Sequence, residues 1–531
     1  MISENKYDTI IVGAGMAGLT AAAFLSKQGR NVLLIEKNKE CGGLVNSFTH
    51  NGFTFDAGVR ALLDAGIIAP LLKELNINMD VVKSHVSVGL GNDIIDVKSI
   101  NSLKTYRELL EKHYSNSRED ITKVMKVIKR IMKHMNVLYG VQNPVMIDLM
   151  REKKFLFTVL LPWLPKFLLT LPKINRMNMP VEAYLETLVD NPSLRDILSQ
   201  HFFKNTPTFF ALSYFSLYLN YFYPKEGVGT LATKLENRVE EFGGEIKRET
   251  TIKSVNASEK MLTDMRGVTY SYCNLIWASD LKTFYRITRT EGLSNKIRAK
   301  FDREKDKMMA RRGGDSVFTL YLEVDEPLDR FKEISNGHFF YTPTKEGLGE
   351  IHRGELEKLL SEWDKHSKGD VKMWIDKFTR LNTYEISIPG LKNTALVPQG
   401  KTGLIISFLT EYDLFRKVKA SGWYDEFIGE MESQIINVLT GSVYPFMKDK
   451  IIAQFSFTPL SIESRVGTSE GAITGWSFRE PVPVIHQMQK SGRSVITPIP
   501  SIFQAGQWTY SPAGVPMAIL TGKLAADRAM K

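Results

Sequence analysis

Apolar positions along the chain fall into three patterns. Residues 9–12 (TIIV) and 31–35 (NVLLI) are short continuous runs suited to strands buried on both faces of a parallel sheet, and 16–28 between them reads as a helix stopped by Gly29. From 102 to 139 the spacing turns helical. Val124, Val127, Ile128, Ile131, Met135 and Leu138 share one stripe, while Lys123, Lys126, Lys129, Arg130 and Lys133 fall on the other side. Residues 155–171 (FLFTVLLPWLPKFLLTL) are apolar and aromatic, interrupted by Pro162, Pro165 and Lys166. A spanning helix needs about 20 largely uninterrupted apolar residues, and prolines so close together predict a break, so this segment is expected not to span. Runs at 317–324, 337–341, 383–388 and 404–408 alternate or cluster apolar residues as strands do. The stretch 299–315 reads as a charged loop and 345–372 as a polar helical insertion, both solvated.

The turn between the first strand and helix carries Gly13, Gly15 and Gly18 at G-x-G-x-x-G spacing. The first glycine suits a tight turn, the second lets backbone N–H groups approach a pyrophosphate, and the third lets helix and strand pack closely. The helix N-terminus then points at the phosphate. Glu36 closes the second strand, where an acid accepts hydrogen bonds from ribose hydroxyls and disfavours a 2′-phosphate. The bound adenosine is therefore that of FAD or NAD rather than NADP.

Further on stand Glu40-Cys41-Gly42-Gly43-Leu44 and Gly52-Phe53-Thr54-Phe55-Asp56-Ala57-Gly58. An acid, a double glycine and G-F-x-F-D-x-G together resemble the FAD signature of the phytoene desaturase, carotene isomerase and retinol saturase family, part of the wider amine-oxidase-like flavoproteins. Tyr223-Pro224-Lys225-Glu226-Gly227-Val228-Gly229, a following helix and Gly243-Gly244 resemble a second motif of that family, and Leu275–Asp280 its next return strand. Ser501–Trp508 and the helix entered through Gly514-Val515-Pro516 resemble its closing motif. The chain departs from the family pattern at Leu44, where a basic residue is common, at Val228, where glycine is usual, and at Gln507, where an acid usually stands.

The resemblance implies an α/β fold, with a discontinuous Rossmann-type FAD-binding domain (1–95, 225–290 and 490–531), a helical substrate or membrane-contact region (96–224), and a substrate domain of mixed sheet and helices (291–489). Fingerprint and resemblance together assign FAD binding to Gly13, Gly15, Met16, Ala17, Gly18, Glu36, Lys37, Gly42, Gly43, Leu44, Gly58, Val59, Ile252, Gly506, Gln507, Val515 and Met517. Arg60 is the one candidate for facing the flavin, a solvated arginine being the alternative. Cys41 reads as a small residue packed near the phosphate, with a redox role as the alternative. The nine histidines show no metal-ligand spacing, so no metal site is expected.

The implied activity is hydride transfer between FAD and a carbon–carbon bond of a hydrophobic polyene or isoprenoid, as desaturase, saturase or isomerase, with no redox partner named. The alternatives are a flavin amine or amino-acid oxidase on the same scaffold, and a prenyl-protein carrier resembling the GDP-dissociation inhibitors. Two cysteines in 531 residues argue against a disulfide framework, and a core strand within nine residues leaves no room for a signal peptide before the fold. A cytoplasmic location is expected, peripheral at the inner face of the cell membrane. The net charge of +10 favours an anionic surface. With no nucleic-acid signature, that surface is a membrane, contacted through 155–171, where Trp163 and Lys166 would sit at headgroup level. The other reading of 155–171 is the wall of an internal tunnel. The aromatic run 202–223 lines a core or a substrate cavity.

Overall fold

The computed structural model describes residues 6–349 and 351–531, except for the side chain of Arg353. Residues 1–5 of the expected cofactor domain and residue 350 of the expected insertion lie outside the described residues. Strand β1 (Lys6–Val12), helix α1 (Met16–Lys27) and strand β2 (Val32–Ile35) form where the apolar runs put them. β1 pairs in parallel with β2, Thr9 opposite Val32, and on its other side with Thr269–Trp277, Val12 opposite Trp277. Glu245–Lys247 extends the parallel sheet beyond β2, Ile502–Gln504 adds to Thr269–Trp277, and Met261–Asp264 and Ile252–Asn256 continue it as an antiparallel meander. The first sheet is thus assembled from three separated parts of the chain.

Helix α1 is apolar on every side, with Leu19, Ala21, Ala22, Ala23 and Leu25 fully buried, as befits a helix enclosed by neighbours all round. It packs against the Thr230–Glu241 helix and the terminal Val515–Ala529 helix. The turn before it depends on two glycines: Gly13 takes φ +102°, and a Cβ on Gly18 would lie 1.8 Å from the Gly13 carbonyl oxygen.

A second sheet has the strand order Ile451–Phe457, Ser316–Val324, Thr402–Thr410, Tyr384–Ser387, His338–Thr342, Val86–Leu90 and Asp93–Val97. All of its pairings are antiparallel except the one between His338–Thr342 and Val86–Leu90. Four of its strands fall on the expected apolar runs. The strands Val86–Leu90 and Asp93–Val97, placed by sequence in the cofactor domain as far as residue 95, instead hydrogen-bond into this sheet, because the apolar Val86 and Leu90 join the core formed by the helices of 102–218.

Four local expectations are corrected. The 102–139 stretch is two helices, Ser102–His113 and Arg118–Tyr139. The chain turns at buried Tyr114, whose hydroxyl donates to the carbonyl of Lys345. The charged loop at 299–315 is largely the helix Asn295–Met309, anchored by buried Phe301 and Met308, with the Phe301 ring 5.0 Å from that of Tyr285. The insertion is helical but only partly solvated, since Leu356, Leu359 and Val371 are buried. The prolines at 155–171 do not break the chain's course: a continuous helix runs Lys153–Asn175, long and apolar enough to cross a membrane. Residues Leu156–Leu160 adopt a π-helical turn just before Pro162, and Pro165 and Pro172 lie inside the helix that continues from it.

That helix does not wall a tunnel, because Phe157, Leu164, Leu168 and Leu169 are exposed. Trp163 turns inward, its indole N–H donating to the Val137 carbonyl at 2.5 Å and its ring 4.4 Å from that of Phe167. Lys166 stays exposed.

The core of the helical layer holds His201, with its ring centroid 3.8 Å from Phe202 and 5.9 Å from Phe340. Burial pulls its pKa down to about 4, and the charge of Glu385 opposes this weakly.

Two outcomes follow from this packing. Gly18→Ala should destabilise the chain by about 1–3 kcal/mol or more through overpacking. Gly429→Ala, in a helix interior with nothing within 4 Å of the new methyl group, should stabilise it by about 0.5–1 kcal/mol; denaturant melts compare the two. His201 is neutral in the fold, whereas an unfolded histidine titrates near 6.5. Between those values the unfolded chain binds the extra proton, so stability is lost as pH falls from about 6.5 to about 4. Relative to His201→Phe, the wild type should lose roughly 1–3 kcal/mol across that window and nothing above it, as read from melts at stepped pH.

Candidate functional site

The β1–α1 turn opens into a cavity of about 610 Å³ that reaches from the first sheet to the second. Gly13, Gly15, Met16, Ala17, Glu36, Lys37, Gly42, Gly43, Leu44, Gly58, Val59, Arg60, Ile252, Gly506, Gln507 and Val515 all line it. Gly18 and Met517 do not: Gly18 faces the backbone of Gly13, and Met517 packs against the core around α1.

Glu36 is held in place before any ligand arrives. One carboxylate oxygen accepts from the Ala14 N–H at 2.8 Å, and the other from the Asn38 N–H and side-chain amide, both at 3.0 Å. Lys37 turns away, donating to the Ser464 carbonyl at 2.7 Å, and burial lowers its pKa. Gln507 reaches toward Thr468 and Ala472 at 3.4 and 3.3 Å. The terminal helix begins at Val515 on the cavity wall. Cys41 is buried, and burial pushes its thiol up to about 12, away from thiolate chemistry.

The two family-like motifs are halves of one construction. The fully buried Asp56 accepts from Ser47 Oγ at 2.8 Å, from the Tyr223 hydroxyl at 2.8 Å and from the Val228 N–H at 3.1 Å. Arg60 is buried, not solvated. Its guanidinium donates to the Asp56 carbonyl and, at 3.1 Å, to Ser407 Oγ.

The second-sheet side supplies residues that carry no spacing signature: Thr319, His338, Glu385 and Ser407. His338 Nε2 lies 2.9 Å from Glu385 Oε1, and the Tyr221 ring lies parallel to the imidazole at 5.5 Å. Burial holds the His338 pKa below its ordinary value. Burial pushes Glu385 up, but the hydrogen bond from His338, with the charges of His338, Arg60 and Lys392, outweighs it, and the carboxyl sits below its usual range. The two side chains are held together by this one hydrogen bond between ring nitrogen and carboxyl oxygen. About a third of the Glu385 side chain remains exposed. Lys392 donates to the Arg60 carbonyl at 2.8 Å and to Ser387 Oγ at 2.9 Å, and burial pushes it down to about 8. An acid inside the strand-like run 383–388 (TYEISI) was the available signal for this cluster. Among the described residues no group of three or more His, Cys, Asp or Glu could hold a metal ion.

Comparison with known proteins agrees with this geometry. Residues 11–75 match the family model described as an NAD(P)-binding Rossmann-like domain. The all-trans-retinol 13,14-reductase of Rattus norvegicus is 21% identical over 99% of this chain and 86% of its own length. An inactive all-trans-retinol 13,14-reductase of Danio rerio is 25% identical over 48% of this chain, which aligns with 43% of that protein's length. The 4,4′-diapophytoene desaturase of Staphylococcus aureus is 19% identical over 98% of both chains. Among solved structures, an oxidoreductase from Methanosarcina mazei superimposes with a TM-score of 0.62 at 15% identity, covering 97% of this chain and 98% of that one. Putrescine oxidase bound to putrescine does so with a TM-score of 0.59 at 14% identity, covering 98% of each. Over nearly its whole length the chain is similar to proteins named retinol 13,14-reductase and diapophytoene desaturase, and it shares its fold with putrescine oxidase.

Proposed function

We propose that this chain is an FAD-dependent oxidoreductase acting on carbon–carbon bonds of a hydrophobic polyene or isoprenoid lipid. The observation that carries the reading is a single cavity joining the dinucleotide turn to a chamber floored by the second sheet. The residues present fit FAD: Gly15 faces the cavity with nothing within 4 Å of a Cβ built on it, which leaves a cradle that a side chain would fill. Glu36, held by Ala14 and Asn38, is set to receive the ribose hydroxyls. The Val515 helix N-terminus favours negative charge on the ligand beside it.

Bound FAD would supply the two-electron, hydride-level chemistry. The chain's part is to orient the lipid, exclude water and handle the proton. Glu385, with one oxygen on His338 and a face open to the cavity, is the group placed to offset positive charge that builds on carbon as hydride leaves. It takes the proton from the neighbouring carbon, and in saturation both transfers run in reverse.

The amine-oxidase reading has one observation in its favour, because the same open carboxylate could pair with an ammonium. Arg60 and Lys392, whose charges already act on Glu385, work against a cationic substrate there. The carrier reading leaves the Gly15 cradle and the held Glu36 without a use.

Purified protein should be yellow and release FAD on denaturation, and polyenes should change the flavin redox state anaerobically. Hydrogen peroxide formed from amines, with no response to polyenes, would move the assignment to amine oxidation. Gly15→Val should keep the fold and lose the flavin absorbance. Glu385→Gln should keep the absorbance and slow the polyene-driven step by about 10²–10⁴-fold.

The reading extends to a membrane surface. Exposed Phe157, Leu164, Leu168 and Leu169 lie among exposed Lys153, Lys154, Lys166, Lys173 and Arg176, and this helix packs along the basic Arg118–Tyr139 helix. An apolar strip with cations around it, held side-on against the protein, suits an anionic bilayer entered to one leaflet. Leu164→Glu with Leu168→Glu should abolish co-sedimentation with anionic vesicles while leaving FAD content unchanged.

A further inference from the structure

The second sheet presents a continuous row of side chains from one cavity to another. Thr319 pairs with Ser407, Ser407 with Glu385, Glu385 with Phe340, and Phe340 with Val88. Directly paired residues project from the same face of a sheet, and at about 4.8 Å per strand this row spans roughly 19 Å. Thr319, Ser407 and Glu385 line the large cavity. Phe340 and Val88 line a second, smaller cavity of about 70 Å³ inside the helical layer, walled by Tyr106, Ile128, Leu212 and Phe215.

Four rings stand where the two cavities meet. Tyr221 is stacked on His338 at 5.5 Å, His338 on Phe340 at 5.2 Å and Phe340 on Tyr218 at 5.0 Å, and Tyr218 returns to Tyr221 at 6.0 Å. Tyr221 and His338 face the large cavity, while Phe340 and Tyr218 face the small one. The circuit of rings is therefore a partition one side chain thick.

We propose that the small cavity is the far end of the substrate site, taking the terminal segment of a polyene or isoprenoid chain, with Tyr218, Tyr221 and Phe340 as a partition that opens to admit it. This rests on the lipid reading above and adds to it a ruler for chain length. The lining of the small cavity is mainly aliphatic and aromatic, with His201 and a Thr342–Thr383 hydroxyl pair that satisfies itself at 2.8 Å as polar members, so an apolar chain end gains dispersion contacts by filling it. A polyene threading between the rings exchanges ring–ring contacts for contacts with its own π-face, so opening the partition sacrifices little. The row beneath runs from hydroxyls and a carboxylate to Phe340 and Val88, which places the reacting segment of the chain over Glu385 and the inert end beyond the rings.

The test uses the FAD-loaded protein and all-trans isoprenoid alcohols of two, three and four isoprene units, with binding followed by quenching of tryptophan fluorescence. Each carbon kept out of the pocket weakens binding about fourfold. Leu212→Phe, which fills the pocket, should therefore weaken the four-unit alcohol by about tenfold or more and change the two-unit alcohol by less than about twofold. Phe340→Ala, which opens the partition, should strengthen the four-unit alcohol relative to the two-unit one and serves if the filled variant does not fold. Xenon-pressurised crystals of the wild type should show xenon between Ile128, Leu212 and Phe215. Equal effects of both substitutions at every chain length, or a pocket that takes no xenon, would overturn the ruler while leaving the lipid reading standing. Failure of the wild type to bind any of the alcohols would overturn both.

Discussion

A buried carboxylate that must be fully satisfied holds this molecule's site together. Asp56 is inaccessible to solvent, and leaving such a group unpaired costs several kcal/mol. Its partners come from three places: Ser47 across a hairpin, Tyr223 from the strand Tyr221–Pro224, and the Val228 N–H at the entry to the Thr230–Glu241 helix. Its own carbonyl receives the Arg60 guanidinium and, at 3.1 Å, the Tyr321 hydroxyl from the second sheet. One residue thus fixes the position of the segment lining the middle of the cavity, of the strand that brings Tyr221, and of the sheet that brings Glu385. Replacing Val228 with the glycine usual in the resembled motif would leave this backbone contact in place, which explains why the departure there is compatible with the construction.

The sequence made the first sheet legible because each of its signals answers a local requirement. Gly13 satisfies a left-handed turn, Gly18 a close approach, and Glu36 a fixed distance from both; none depends on distant parts of the chain. The cluster of His338, Glu385 and Lys392 left only the acid at 385 as a signal, because His338 and Glu385 meet through sheet register, with His338 opposite Ser387 and Glu385 opposite Phe340, and Lys392 joins them from the short helix Pro389–Lys392. Residue counting carries no trace of that. The helix Asn295–Met309 was misread for a related reason. Its charged positions dominate the pattern, yet two side chains, Phe301 and Met308, suffice to dock it on the aromatic core of the first sheet. At Lys153–Asn175 the chain continues as helix past Pro162, Pro165 and Pro172, with a widened π-helical turn just upstream of the first of them.

The same helix clarifies how the apolar parts relate. Its inner face, through Leu171 and Ile174, packs on Leu138 of the Arg118–Tyr139 helix, and nearly three turns back along that partner Ile128 lines the small cavity. Leu138 and Ile128 belong to one apolar stripe, so the exposed strip and the small cavity meet the same side of one helix, whose other face is a row of lysines. Along the sheet row the ionised group stands at Glu385 and the apolar end at Phe340 and Val88. On the lipid reading, that gradient keeps polar chemistry beside the dinucleotide cavity and leaves the inert chain end beyond the rings.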